Sequence, residues 1–154
     1  MRVQTKFFGE VELDDNKILE FPNGIIGFEE LKKFAIIYNS EDENETRISW
    51  LQSMDEPMIA LPVVDPLAIV PDYAPMIEDE LLKPLGNPAD KDLLFLLVMT
   101  VPSDMTRVTA NMKAPVIINT KTCTGVQLIV DNADYPVKYN VYDAVQKMKE
   151  KAGE

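Results

Sequence analysis

The chain has 154 residues, enough for one domain that buries roughly 70% of its unfolded surface without a disulfide or metal staple. One cysteine excludes an internal disulfide and a cysteine-based metal site, and the absence of histidine removes the usual general base at neutral pH. Fifteen basic residues against 26 acidic ones leave a net charge of −11, which repels phosphate backbones and anionic lipids at long range.

That balance argues against direct nucleic-acid binding and suits a basic protein partner, although acidic charge also serves solubility alone. The opening MRVQTKFFGEVEL has no signal-peptide apolar region. The longest apolar runs, residues 93–99 and the proline-broken 58–70, fall well short of the ~20 residues that span a bilayer. A soluble, cytoplasmic chain with no membrane association is expected.

Val3, Thr5 and Phe7 alternate with polar neighbours, and Val11 and Leu13 do so after Gly9. Period two predicts one half-buried strand with a bend at Gly9. Asp14-Asp15-Asn16 reads as a turn, with residues 17–21 returning as the second arm of a hairpin. Pro22-Asn23-Gly24 is a turn, Gly27 a second bend, and residues 29–33 a short helical piece. Residues 34–38 are a compact apolar strand, and SEDENE (40–45) an acidic loop tip. Strands over 48–52 and 58–64 flank a turn at Asp55-Glu56-Pro57.

Four prolines (66, 71, 75 and 84) prevent a long helix between Asp65 and Asn87, leaving a short one near 77–82. Residues 93–101 read as a strand buried on both faces. Alternation predicts a further strand through Val108, Ala110 and Met112, and paired strands at 116–119 and 125–130. Val141, Ala144, Val145 and Met148 share one face of a helix over about 140–151. Asn140 is placed to cap it, Asp143 holds the capping-box position, and three lysines suit its C-terminal dipole. The sum is a mainly β, single-domain antiparallel barrel-like or sandwich fold with minor helices and a C-terminal helix.

No catalytic apparatus assembles from these residues. Carboxylate-only chemistry would need paired acids, and Glu78-Asp79-Glu80 reads as a solvated helix start. Gly24-Ile25-Ile26-Gly27 has the spacing of an anion or RNA-backbone loop. It lacks basic flanks, and Glu29-Glu30 follow, so it reads as a turn. Cys123 has no resolving cysteine and reads as a bystander. Met54, Met76 and Met148 would make an adaptable contact surface if exposed.

FPNGIIGFEELKKF, WLQSMDEPMIALPVVDP, VTANMKAPVIIN and TGVQLIV with a following Tyr-Pro segment occur in that order between about Ile18 and Tyr139. Together they resemble the FliW family of bacterial flagellar assembly factors. The resemblance implies a β-barrel-like fold, no enzymatic activity and no cofactor. It implies binding of flagellin and, alternatively, of the RNA-binding translational regulator CsrA. Export of flagellin would free the factor to antagonise CsrA allosterically and relieve repression of flagellin mRNA.

The resembling motifs supply Phe28, Glu29, Gln52, Asn111, Lys113 and Gln127 as contact candidates. Phe28 also reads as core, and Gln52 and Gln127 as satisfying strand edges. Asn111 and Lys113 fall on the polar side of their expected strand. Charge and aromatic content add Tyr73, Glu78, Asp79 and Glu80, in an irregular stretch suited to a contact loop. Competing readings are a small β-barrel enzyme or ligand carrier with converging carboxylates, and a structural subunit.

Overall fold

A computed structural model describes residues 2–6, 9–13, 17–38, 48–86 and 92–143. Its strands are β1 (Arg2–Thr5), β2 (Gly9–Glu12), β3 (Ile18–Glu20), β4 (Lys33–Tyr38), β5 (Ile48–Ser53) and β6 (Ala60–Val64). After the one-turn helix α1 (Pro66–Ile69) and a 3-10 helix (Asp79–Leu85) comes β7 (Leu93–Thr100). A second 3-10 turn (Met105–Arg107), β8 (Thr109–Ala110), β9 (Val116–Asn119), β10 (Thr124–Gln127) and β11 (Tyr139–Asn140) follow.

Strands β3, β4, β5, β6, β7, β9 and β10 pair antiparallel in that order. β10 then meets β3 in parallel, with Thr124 opposite Glu20 and the Glu20 amide donating to the Cys123 carbonyl at 2.8 Å. The sheet therefore closes into a seven-stranded barrel. β8 and β11 extend β7 as a flap.

Consecutive residues of a strand face opposite sides. Phe34, Leu51, Val63, Leu96, Val116 and Ile118 fill the barrel interior. Their neighbours Val64 and Leu97 point outward into a second core with Ile69, Tyr73, Val108 and Val141. Ile117 and Val126 join Leu85 of the 3-10 helix in a third. Because both barrel faces are covered here, these strands read as unbroken apolar runs rather than alternating ones. The expectation of two-sided burial holds for Leu96 and Leu97, while Thr100 and Val101 emerge into solvent.

The N-terminus differs from the expected long strand. β1 and β2 pair with each other, Thr5 opposite Gly9, as a separate two-stranded hairpin. Gly9, at φ +65°, starts the return arm of this hairpin instead of bending one continuous strand. β3 pairs with β4 and β10, not with the N-terminal strand.

Residues 29–30 form a turn, 31–32 lead on without regular structure and Lys33 already opens β4, so no helix forms at 29–33. The Asp55 carboxylate accepts the Lys32 and Lys33 amides at 3.0 and 3.2 Å and holds that backbone open. β6 begins at Ala60, two residues later than expected. The short helix expected near 77–82 is the 3-10 helix Asp79–Leu85.

The expected strand through Val108 and Met112 is cut to two residues. Asn111 Oδ1 accepts the amides of Lys113 and Ala114, both at 3.0 Å, and an Asx turn replaces the ladder. β10 ends at Gln127, but the amides of Leu128 and Val130 still donate to the carbonyls of Pro115 and Lys113. Asn140 Oδ1 accepts the Tyr142 amide at 3.0 Å, as its capping position implies. The C-terminal helix beyond Asp143, the Asp14-Asp15-Asn16 turn and the 40–45 loop lie outside the described residues.

Candidate partner-docking surface

Between α1 and β7 the barrel exterior carries an open apolar groove of about 330 Å³. Its lining includes Asp65, Leu67, Tyr73, Pro75, Leu93 and Phe95. One wall is α1, where Asp65 Oδ1 caps the Leu67 amide at 2.9 Å and Pro66 takes a first-turn position. The cap and the proline fix the entry geometry of so short a helix. Ile69 anchors it in the outer core and leaves Leu67 55% exposed.

The other wall is the extended segment 73–76. Tyr73 is buried, its hydroxyl donates to the Met112 carbonyl at 3.0 Å, and its ring stacks on Tyr135 with centroids 5.1 Å apart. Burial, then the neighbouring Tyr135, pushes the Tyr73 phenol well above its ordinary value. It stays a neutral donor.

Asn132 completes this wall. Its Nδ2 donates to the Ala74 carbonyl at 3.0 Å, and its Oδ1 accepts the Met76 amide at 2.6 Å. The Ala74 amide donates to the Tyr135 hydroxyl, and the Asp131 amide to the Met76 carbonyl, both at 2.8 Å. Leu93 and Phe95, on the outer side of β7, lie across from it.

The expected contact residues divide. Glu78, Asp79 and Glu80 are exposed at the start of the 3-10 helix, which Asn119 Nδ2 ties down by donating to the Leu85 carbonyl at 2.8 Å. Tyr73, Asn111 and Lys113 converge on the groove wall, Tyr73 in the lining with its hydroxyl turned inward, Asn111 and Lys113 bonded behind it. Tyr73 binds the Met112 carbonyl, Asn111 shapes the adjoining turn, and Lys113 Nζ donates to the Asn132 carbonyl at 2.8 Å. They support the wall.

Gln52 is 1% exposed. Its Nε2 donates to the carbonyls of Ser53, Pro57 and Ile59, and its Oε1 accepts the Lys6 amide at 2.9 Å. It offers a partner no free polar atom and acts under the N-terminal hairpin. Glu29 is exposed, with Oε2 accepting the Gly27 amide at 2.7 Å. Phe28 is half-buried rather than core. Gln127 joins two segments through the Ile26 amide and the Ala114 carbonyl.

Leu67, Pro75, Leu93 and Phe95 escaped the sequence reading. The only local signal was an Asp-Pro helix start at 65–66 and the outward phase of 93 and 95. A smaller cavity of about 190 Å³ opens at the barrel mouth beside Leu19, Ile36, Leu94 and Ile118, with Cys123 and Lys17 in its lining. Among the described residues no group of three or more histidine, cysteine or acidic side chains could hold a metal ion. No described helix is long and apolar enough to cross a membrane.

These features define a small closed β-barrel protein whose candidate site is an open, apolar groove on the barrel exterior with Asp65 in its lining. The FliW protein family model matches residues 2–141, and the chain belongs to that family. A flagellar assembly factor FliW of Lachnoclostridium phytofermentans is 48% identical over 151 residues, covering 98% of this chain and 97% of that protein. One of Lachnospira eligens is 47% identical over 148 residues, covering 96% and 98%. The crystal structure of a flagellar assembly factor FliW superposes with a TM-score of 0.82 at 29% identity, covering 92% of this chain and 96% of that one.

Proposed function

We propose that this chain is a non-enzymatic flagellar assembly factor of the cytoplasm that exchanges between two protein partners. It binds flagellin while flagellin is abundant. Once flagellin is exported, it binds CsrA, antagonises it allosterically and so relieves repression of flagellin mRNA translation. The observation that carries this reading is the near-full-length similarity to flagellar assembly factors. The net charge of −11 supports it, because a strongly acidic chain attracts an RNA-binding protein and repels the RNA itself.

The test is a displacement assay with purified CsrA, a flagellin mRNA leader and flagellin from the source organism. Adding the chain should release CsrA from RNA, and adding flagellin should return CsrA to it. A salt series separates the electrostatic part, which weakens as ions screen it. Failure to bind either protein would overturn the reading.

A further inference from the structure

We propose that the groove between α1 and β7 docks a basic, amphipathic segment of a protein partner, apolar side chains seated inward and lysine or arginine side chains on the rim. This rests on the reading of the chain as a protein-binding factor and assigns it a surface. Leu67, Pro75, Leu93 and Phe95 give the groove its apolar lining. Its volume of about 330 Å³ suits one or two inserted side chains rather than a whole folded element.

The occupant's charge follows from the rim. Residues 65–85 carry five acids (Asp65, Asp72, Glu78, Asp79 and Glu80) against one base, Lys83. Asp65 lines the groove, and the exposed Asp72 precedes the lining residue Tyr73. The exposed Glu78 follows Pro75 by three residues, and the exposed Asp131 is tied to Met76 through its amide. Lys113, behind the wall, turns its Nζ to the Asn132 carbonyl. A positive segment would be drawn to this rim and an acidic one rejected. The walls are preformed: Asn132, Tyr135 and the Asp65 cap fix them before any partner arrives. Docking therefore pays little ordering entropy on this side.

The experiment titrates the isotope-labelled full chain with an amphipathic lysine–leucine peptide and with its glutamate–leucine counterpart, followed by amide NMR. The lysine peptide should shift the amides of Leu67, Tyr73, Leu93 and Phe95, and the glutamate peptide should not. Leu67→Ser and Glu78→Lys should each weaken the lysine peptide about 5–10-fold, the scale of one good interface contact. Both positions are exposed, and the Glu78 side chain makes no cap hydrogen bond, so both variants keep the fold. Equal binding of the two peptides, shifts confined to another surface, or wild-type affinity in both variants would overturn the groove.

CsrA is then tested on the same variants. If the wild-type chain holds CsrA and both variants hold it equally, the groove is not that partner's site. If the wild-type chain holds neither CsrA nor flagellin, the functional reading fails while the peptide map still decides the groove.

Discussion

The ring of Phe21 lies directly against Gly125: a Cβ at Gly125 would stand 2.5 Å from both Cε2 and Cζ of Phe21. Phe21 is fully buried and meets Phe34 edge-on at 5.5 Å, so the ring has no room to withdraw. This contact sits beside the parallel junction of β3 and β10 that closes the barrel, where one register pair, Thr124 with Glu20, joins the strands. Gly125→Ala should therefore destabilise the fold by about 1–3 kcal/mol through overpacking. Urea unfolding measures it. Adding Phe21→Leu should recover part of the loss, because the two sites share one space. Simple additivity of the two changes would refute the steric account.

Gln52 sets a second expectation. Its amide satisfies three carbonyls and the Lys6 amide in a buried setting. Gln52→Ala should cost about 2–3 kcal/mol by stranding buried polar groups. A lone two-stranded hairpin is marginal in water, so hydrogen exchange at the Lys6 amide should also accelerate. Unchanged exchange would show that the hairpin is held by other contacts.

Tyr73→Phe keeps the ring and removes the donor to the Met112 carbonyl. A loss of about 1–2 kcal/mol at neutral pH is expected. The phenol's value is raised in the fold above the ordinary 10.0. Its contribution is thus complete below pH 10 and is lost as pH climbs past that value. Wild-type stability should fall more steeply than that of Tyr73→Phe in alkaline buffer, read as the denaturation midpoint against pH.

Asp104 behaves in the opposite sense. The Thr106 hydroxyl donates to its Oδ1 at 2.6 Å and the Thr106 amide at 3.0 Å, which hold the carboxyl below its ordinary 3.8. What this turn gains from the ionised form is present above the ordinary value and is lost as pH falls through the folded one. Thr106→Val deletes the hydroxyl donor and leaves the amide. The Asp104 midpoint, followed by carboxyl NMR, should rise part of the way back to the ordinary value. A midpoint that does not move would assign the shift to the amide alone.

Apolar runs bounded by turn residues made the β-rich class legible, along with the positions of β4, β5, β7 and β9, because those signals are local. The helix expected at 29–33 failed because Asp55, more than twenty residues away, claims the amides of Lys32 and Lys33. The strand expected through 112 failed to a competing local bond, since Asn111 turns the backbone with its own side chain. Of the contact candidates, the acids at 78–80 kept their exposure, because charged side chains in a polar run stay in water wherever the chain goes. Gln52 and Tyr73 did not, for their burial depends on which distant segments cover them.

The sequence by itself determined the family, the β character, the acidic charge and the lack of histidine chemistry, all properties carried by residue identity and short-range order. Tertiary structure alone decided the barrel's closure, which joins Glu20 to Thr124 across a hundred residues. It also decided the groove, which brings Leu67 and Pro75 against Leu93 and Phe95. Periodicity shows which face of a strand is apolar, but not which partner covers that face. That is settled by the long-range register in which the whole core packs.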